Sequence, residues 1–353
     1  MHYPILGSGV ETFAYSYYQY RPVAHNLVSE WDFIYNKAHN EYLNFMATTG
    51  AFGILTYLIF IGFSIYLMLK TKNIFTVALT AGYSSILISN FFGFSVVPVE
   101  IEFFLFPAFA VAASNLETKT KDREISFTQK AVILIVIAIG LYAIVLITNY
   151  WYADTLYSKG KSYNSLGKPG PAIPLLARAI ELEPYQAIYQ NEISVSYTLA
   201  AQDAYNQKDS AKVQENVNNA LSYSQKAINL SPANLNIRRS RFGIFLRLSS
   251  IDPRFLIFAR DTLTTAITFA PTDAKLYYNL GLTEVRTGQT DEAAKTFEKT
   301  IELKANYKEA RLAYAILLID KKEYQKARDQ LTYILTKIDP NDTLTKQTLQ
   351  EIK

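Results

Sequence analysis

The fold of this chain is decided by residues 153–186, which read ADTLYSKGKSYNSLGKPGPAIPLLARAIELEPYQ. The stretch places Gly160, Ala172 and Ala179 where two short helices would touch, and Pro184 where the second helix would end. Small side chains let two helices approach closely, and proline ends a helix because it has no backbone N–H to donate. The stretch therefore predicts a pair of closely packed helices.

The same pattern recurs four more times toward the C-terminus. The recurring residues are Ala220, Ala227 and Pro232; Ala259, Leu263, Ala266 and Pro271; Tyr277, Leu280, Gly281, Ala293 and Phe297; and Ala327, Leu331 and Pro340. The second unit is stretched by an insertion around 201–214, and the polar tail 341–353 would cap the array. In its period and its small residues the stretch resembles the tetratricopeptide repeat. Because one unit cannot bury its apolar face alone, about five units are expected to stack as an α-solenoid over residues 153–353.

Repeat arrays of this type present a concave surface to a peptide or protein partner. Nothing in residues 153–353 indicates catalysis. By itself this part of the chain predicts a scaffold with a possible protein partner.

The composition divides the chain into two parts. Residues 1–152 carry 8 Lys or Arg and 9 Asp or Glu, whereas residues 153–353 carry 27 and 22. The net charge of +4 is too small and too dispersed to indicate nucleic-acid binding. With no Cys and 3 His, the sequence predicts no disulfide framework, no metal site and no cofactor.

Four apolar segments within residues 52–152 predict transmembrane helices. They are Phe52–Leu69, Phe75–Phe94, Val96–Ala113 and Ala131–Tyr152. A span needs roughly 20 apolar residues to cross about 30 Å of hydrocarbon. Glu100 and Glu102 stand near the start of the third segment, where the interpretation of solvated interfacial groups is favoured. The predicted fold class is all-α, with polytopic transmembrane helices followed by the repeat solenoid.

Basic residues in the links between these segments predict the orientation. They are Lys70 and Lys72 in one link, and Lys119, Lys121, Arg123 and Lys130 in another. Both links should be cytoplasmic, so residues 1–51 and everything after Tyr152 should be extracytoplasmic. The cluster Tyr150-Trp151-Tyr152 suits an interface anchor on the outer side.

Residues 1–51 contain two short motifs. The first is Gly7-x-Gly9 followed by Phe13, and the second is His39-Asn40, nine residues, Gly50, two residues and Gly53. The second motif leads directly into the predicted span at Phe52. Here the chain resembles the bacterial O-antigen ligase/polymerase family. The pair His25-Asn26 does not fit, because Asn36 stands where the pattern has glycine.

The resemblance implies glycosyl transfer at the outer face of the bacterial plasma membrane. The donor would be a glycan on undecaprenyl diphosphate, the acceptor a hydroxyl of a glycan, lipid or protein, and no metal would be needed. By the same resemblance His39 would assist the acceptor hydroxyl with Glu41 orienting its imidazole, and Arg21, Lys37 and Asn40 would bind substrate. A largely neutral imidazole suits the first role, and a guanidinium fork suits a departing diphosphate. Two structural alternatives stay open: Arg21 could pair with Glu30 or Asp32, and His39 could make a hydrogen bond within the loop. The many aromatic rings of the loop suit either a membrane interface or stacking on sugars.

The family normally has many spans before this loop, and this sequence has none. We therefore expect the chain to be a C-terminal fragment that holds part of an active site. The alternative function is a non-catalytic, membrane-anchored repeat scaffold that recruits an extracytoplasmic protein. The two functions are compatible, since a transferase could use the array to gather acceptors.

Overall fold

The computed structural model describes residues 3–33, 35–70, 73–115 and 126–352. Throughout that part of the chain the regular backbone is helical and contains no strand, so the predicted all-α class is confirmed. The chain divides into two compact units, which are described separately below. The first comprises Met1–Tyr17 and Phe33–Val132, and the second comprises Tyr18–Asp32 and Ile133–Lys353.

The N-terminal part of the chain forms five helices and a short 3-10 turn. They are α1 (Phe13–Tyr20), the 3-10 turn Val23–Leu27, α2 (Glu41–Lys70), α3 (Ile74–Phe92), α4 (Val97–Asn115) and α5 (Phe127–Ser165). Helices α1 and α5 each contribute residues to both units.

Helix α2 begins well before the span that was predicted to start at Phe52. The Asn40 side chain accepts a hydrogen bond from the Leu43 N–H at 2.9 Å, which caps the helix at its first turn. Gly50 then interrupts the helix with φ 67° and ψ −165°. Residues Glu41–Thr49 of the predicted loop are thus helical, and the predicted division at residue 51 lies at the kink between the two halves of α2.

The core of the first unit is a stack of three aromatic rings. Tyr57 on α2 and Tyr83 on α3 both stack on Phe103 of α4, with ring centroids 5.4 and 5.2 Å apart. All three rings are buried. Aromatic pairs of this kind add about 0.5–1.5 kcal/mol each beyond the area that they bury. The stack therefore holds α2, α3 and α4 together.

Three helices in the described ranges are long and apolar enough to cross a membrane by length and composition: α2, α3 and α5. The most apolar stretch of α5 has none of its residues buried within the structure. Helix α4, which corresponds to the third predicted span, contains Pro107. Lys72, Lys119, Lys121 and Arg123, which support the predicted orientation, lie outside the described residues. Membrane insertion and its direction therefore stay predictions.

The predicted boundary between the fourth span and the repeats lies inside α5. This helix runs from Phe127 to Ser165 without interruption, and at 1.5 Å per residue it is about 58 Å long. Its last part is already the first helix of the first repeat, where Ala153 is fully buried and packs with Leu156 and Ala179. A continuous apolar-to-polar helix can form here because the stretch from Tyr152 to Ser165 contains no proline.

Residues 153–352 form the five helix pairs that the sequence predicts. After α5 come α6 (Pro169–Leu182), α7 (Ala187–Asn206), α8 (Ser210–Leu230), α9 (Leu235–Leu248), α10 (Phe255–Phe269), α11 (Ala274–Arg286), α12 (Thr290–Leu303), α13 (Lys308–Asp320) and α14 (Tyr324–Tyr333), followed by a π turn at Ile334–Ile338 and α15 (Thr343–Glu351). The insertion in the second unit lengthens both of its helices, to 20 residues in α7 and 21 in α8, against 13 in α11 and 14 in α12.

The small and apolar residues of the repeat pattern lie at the helix contacts. Fully buried members are Ala172, Leu176, Ala179, Ala220, Ala227, Ala259, Leu263, Ala293, Phe297, Ala327 and Leu331. At Gly281 the contact is so close that an added Cβ would lie 2.8 Å from the Phe297 ring. The 34-residue pattern thus has a steric cause, because larger side chains would force the paired helices apart.

We predict that Gly281→Ala lowers the midpoint of thermal unfolding of the purified chain. Overpacking a tight helix contact costs about 1–3 kcal/mol. Gly243→Ala on α9 is the matched control, because no atom lies within 4 Å of an added Cβ there. Alanine is favoured over glycine inside a helix by roughly 0.5–1 kcal/mol, so the control should leave the midpoint unchanged or raise it. Circular dichroism melting curves measure both, and equal shifts for the two variants would contradict a steric role for the close contact at Gly281.

Candidate functional site

The loop that carries the first glycine motif, Gly7-x-Gly9, makes hydrogen bonds to the backbone on both sides of the break in α2. The kink at Gly50 leaves the carbonyl groups of Ala47 and Thr48 without helical donors. The N–H groups of Ser8 and Gly9 donate to these two carbonyls at 3.0 and 2.9 Å. The loop at residues 4–9 therefore supplies hydrogen bonds that the helix loses.

The same loop serves the other side of the kink. The N–H of Ala51 donates to the Pro4 carbonyl at 2.8 Å, and the N–H of Phe52 donates to the Ile5 carbonyl at 3.1 Å. The start of the second half of α2 is thus occupied by carbonyl groups of the chain itself. The N–H groups of Ala51 and Phe52 are therefore already paired.

The spacing of the motif glycines follows from this close approach. Gly7 has φ +70°, and a Cβ there would lie 2.3 Å from the Thr48 backbone. Gly50 has φ +67°, and a Cβ there would lie 2.4 Å from the backbone of Ile5. Only glycine fits either position. The glycines of the resemblance therefore have a structural role in the discontinuous helix.

His39 lies on the surface of the first unit between two aromatic rings. Its imidazole meets the Phe94 ring edge-on with centroids 5.4 Å apart, and the Tyr35 ring at 6.3 Å. The side chain is exposed. Within the described part of the chain, no hydrogen bond fixes either imidazole nitrogen. The contacts of the imidazole that the structure describes are with these two rings, so the role of His39 toward a substrate and the alternative of a structural hydrogen bond both stay predictions.

Asn40 uses both of its polar side-chain atoms within the fold. In addition to the cap on α2, its Nδ2 donates to the carbonyl of Phe91 at 2.8 Å and so ties α2 to the end of α3. Substrate binding by Asn40 would have to replace one of these bonds. That predicted role stays a prediction, and the structural role is sufficient to explain the residue.

Glu41 is turned toward Ser95 and not toward His39. The carboxylate is 3% exposed, and its Oε2 accepts a hydrogen bond from the Ser95 N–H at 3.2 Å. Its Oε1 lies 3.5 Å from Nδ2 of Asn44. These partners differ from the predicted one, because the first turn of α2 directs residue 41 into the unit while residue 39 stays outside the helix.

A cavity of about 520 Å³ lies beside this carboxylate. Lys37 and Glu41, on either side of His39 in the sequence, both line it, whereas His39 does not. Glu11 and Glu100 line it as well, and Lys37 is already paired with Glu11 at 3.1 Å. The predicted substrate residue Lys37 therefore reaches a cavity in which carboxylates outnumber cations.

The cavity also holds a buried acceptor without a donor. Asn44 is 7% exposed, and among the described residues no hydrogen-bond partner reaches its Oδ1. An unpaired buried acceptor costs about 1–3 kcal/mol. A lining with surplus acceptors suits a ligand that donates hydrogen bonds, such as a sugar hydroxyl, better than a diphosphate. In the described ranges, no three His, Cys, Asp or Glu side chains converge to hold a metal ion.

Arg21, the predicted diphosphate ligand, belongs to the second unit and is buried there. Its side chain is 2% exposed. Nη1 donates to the carbonyl of Trp31 at 2.9 Å, and Nη2 donates to Oδ1 of Asn26 at 2.6 Å and to the carbonyl of Thr272 at 3.1 Å. Asp32, one of the two predicted carboxylate partners, pairs with Lys275 at 2.8 Å instead. Binding a phosphate would require the guanidinium of Arg21 to leave these partners, so that role stays a prediction without structural support.

Asn26 makes contacts that the sequence did not predict. It is fully buried, and its Nδ2 donates to the carbonyl groups of Thr272 at 2.8 Å and Leu303 at 3.1 Å. The Lys304 ammonium donates to the backbone carbonyl of Asn26 at 2.5 Å. No sequence pattern announces these contacts, since the pair His25-Asn26 fails the family motif.

Aromatic and cationic groups hold the rest of this segment on the array. The Trp31 ring meets the Tyr307 ring edge-on at 5.1 Å and lies 4.4 Å from the Lys304 ammonium. At the other end the Tyr18 ring is buried and lies 5.9 Å from the guanidinium of Arg239 on α9. We call Tyr18–Asp32 the docked segment, because its contacts join it to α9, α11 and α12 and to the turns before α11 and α13 within the second unit.

Burial and neighbouring charges shift the pKa of two residues of the docked segment. Burial lowers the pKa of His25, and the nearby Arg21 charge lowers it further, while Asp273 and Glu30 act in the opposite direction. The hydrogen bond from Lys275 lowers the pKa of Asp32. The docked segment therefore favours a neutral His25 and an ionised Asp32.

Comparison with known proteins places the second half of the chain in a repeat class. Two family models, both described as tetratricopeptide repeat, match residues 153–186 and 284–342. The chain contains tetratricopeptide repeats. No curated protein matches the sequence. Neither matched stretch includes residues 1–152, so the resemblance to the O-antigen ligase/polymerase family stays a prediction.

Solved structures with a similar arrangement cover about half of the chain. MamA from Desulfovibrio magneticus RS-1 is 16% identical, covers 54% of this chain and 98% of its own, and has a TM-score of 0.41. PilF from Pseudomonas aeruginosa is 18% identical, covers 58% of this chain and 90% of its own, and also has a TM-score of 0.41.

We predict that Asn26→Ala releases the docked segment. The change leaves the Arg21 guanidinium and the Thr272 carbonyl short of a buried partner, at about 1–3 kcal/mol, or roughly tenfold to hundredfold in an opening equilibrium. Hydrogen exchange followed by mass spectrometry should show faster exchange over residues 18–32. Ser29→Ala, at an exposed position of the same segment, is the control and should exchange as the unmodified chain does. Unchanged exchange in the Asn26 variant would show that other contacts hold the segment.

Proposed function

We propose that this chain is a membrane-anchored tetratricopeptide scaffold that binds polypeptide segments on the extracytoplasmic side. The observation that supports this proposal is the docked segment. An amide side chain and a guanidinium, both fully buried, bond to backbone carbonyl groups of the array. Thr272 and Lys304 of the array bond in turn to the backbone carbonyls of Arg21 and Asn26, so side chains and backbone of the segment are both bound. The array thus has the chemistry of a peptide-binding surface, and its own loop is the first ligand.

The proposed anchoring rests on the apolar helices. Ile139 and Leu134 on α5 are 63% and 67% exposed, and a helix that is apolar on all sides is stable only where lipid or protein covers it. The same helix continues into the first repeat. We propose a multi-pass location in the bacterial plasma membrane, with the docked segment and the array outside the cytoplasm.

A photo-crosslinking amino acid at Asn306 tests the scaffold proposal in the producing bacterium. This exposed position lines a groove together with Trp31 and Lys304, beside the docked segment. We expect a crosslink to one defined second polypeptide, with a yield that rises when Asn26→Ala frees the segment. The same amino acid at Ser158, exposed on α5, should give no such product. Crosslinks that stay within the chain in both backgrounds would show that the array only braces its own loop.

Cysteine labelling supplies the control for membrane orientation, because the chain has no Cys. Ser126 and Ser165 stand at or next to the two ends of α5, and both are exposed. A membrane-impermeant maleimide added to intact cells should label Ser165→Cys and not Ser126→Cys. Labelling of the Ser126 variant alone would place the array inside and rule out an extracytoplasmic partner.

A second candidate function is glycosyl transfer from a lipid-linked donor, and the surroundings of His39 favour it. The His39 imidazole is exposed, and Lys37 and Glu41, two residues before and two after it, line a cavity rich in hydrogen-bond acceptors. In this proposal His39 takes the proton of an acceptor hydroxyl, whose oxygen bonds to the anomeric carbon of the donor glycan. The bond between that carbon and the diphosphate breaks, and the diphosphate leaves with its undecaprenyl carrier. Lys37, a cationic group, and Glu41 both line the cavity.

Replacing His39→Ala at the chromosomal locus tests this second proposal, because any further segments of the protein are then present. A general base contributes about 10²–10⁴-fold, so surface polysaccharide or glycoconjugate should fall to traces while lipid-linked glycan accumulates. Immunoblots of the membrane fraction check that the variant is made in normal amount. Normal glycan at normal protein level would leave only the scaffold function.

A further inference from the structure

A second groove of the array carries two arginines that have no carboxylate partner among the described residues. Helix α9 contains four: Arg238, Arg239, Arg241 and Arg247. Arg239 forms an ion pair with Asp273. No carboxylate in the described residues lies within ion-pair distance of Arg238 or Arg241.

Each of these two guanidinium groups is held by weaker contacts. Nε and Nη2 of Arg238 donate to the Pro232 carbonyl at 3.1 and 2.5 Å, and its guanidinium lies 4.3 Å from the centre of the Phe269 ring. Nη1 of Arg241 donates to the Ser224 hydroxyl at 3.3 Å, and its guanidinium lies 5.2 Å from the centre of the Phe245 ring. Several N–H donors of each fork are left for a further partner.

The pair is partly withdrawn from water. Burial lowers the pKa of Arg238, and burial together with the charge of Arg238 lowers the pKa of Arg241. Two like charges that are desolvated and close to one another raise the free energy of the free protein. A bound anion would remove that cost.

Both arginines line a groove of about 280 Å³ with Phe245, Phe258, Asp261 and Thr262. Asp261 does not neutralise the pair, since its Oδ1 accepts hydrogen bonds from Nη2 and Nε of Arg260 at 2.9 and 3.2 Å. The Phe258 ring is 51% exposed, and the neighbouring Ile257 is 48% exposed. The groove thus combines two cations with an open apolar edge.

We propose that this groove binds an acidic side chain flanked by an apolar residue in the polypeptide that the scaffold recruits. The inference rests on the proposed scaffold function and names the class of segment that it takes. Arg238 and Arg241 are three residues apart on one helix, a spacing that makes their side chains neighbours on its surface, and both line the groove, so that together they can hold one carboxylate. The exposed Phe258 ring packs against the apolar residue that flanks the acidic side chain in the bound polypeptide. A groove of this size fits one or two side chains, and the apolar edge gives no advantage to a bare phosphate.

Fluorescence anisotropy with the full chain in phosphatidylcholine nanodiscs tests the proposal. The probe is a fluorescein-labelled peptide of alternating leucine and aspartate, compared with the same peptide carrying asparagine in place of aspartate. We expect the aspartate peptide to bind about tenfold or more tightly, with an affinity that falls as salt is added. Arg238→Gln with Arg241→Gln should abolish this preference. Arg247→Gln removes one charge from an exposed position of the same helix and should retain it.

Two further measurements test whether the guanidinium forks of the groove select the aspartate peptide. Arg241→Lys keeps the charge without the fork and should lower the preference while the chain stays folded by circular dichroism. An equal loss in Arg247→Gln, equal binding of both peptides, or capture of phosphatidylglycerol vesicles in place of the peptide would overturn the proposal. If the partner crosslinked through position 306 is still captured by the double variant, the groove proposal fails and the scaffold function stands.

Discussion

Backbone groups that are buried need hydrogen-bond partners, and this constraint shapes both units. At Gly50 the kink in α2 opens two carbonyls and two N–H groups, and residues 4–9 satisfy all of them. In the array the carbonyl of Leu303 closes α12, and the carbonyl of Thr272 lies in the turn between α10 and α11. Both accept from the Asn26 amide. In each unit, therefore, a loop is fixed by backbone groups that helices leave without partners.

The constraint accounts for the large difference in sequence between the glycine motif and the docked segment. A loop that pairs backbone to backbone at a helix break must approach closely, and this requires glycines at fixed positions such as Gly7 and Gly50. A loop that bonds to backbone carbonyls through its side chains needs side-chain N–H donors, and Asn26 and Arg21 supply them. The first solution leaves a pattern that can be read in the sequence. The second leaves two isolated polar residues.

This difference decides how much of the molecule the sequence predicts. The array was predicted to the level of single residues, since Ala172, Ala293 and Leu331 all lie at helix contacts. Local signals would also have placed the start of α2, because Asn40 is a capping residue with Glu41 in the first turn. The contacts of Asn26 could not be predicted from the sequence. They join residues far apart in the chain, and their acceptors are backbone carbonyls, which have no side-chain signature.

Arg21 shows why composition alone misplaces a functional group. As the one arginine of the N-terminal loop it was the natural candidate for a phosphate, but a guanidinium binds carbonyls as readily when burial removes water. The environment that the fold provides decides between the two. The same argument applied to α9 gives a different result, because Arg238 and Arg241 are partly buried and each bonds to one acceptor, whereas Arg21 is fully buried and bonds to three. A partly exposed cation with a single acceptor is thus a better sign of a missing ligand than the rarity of the residue in its segment.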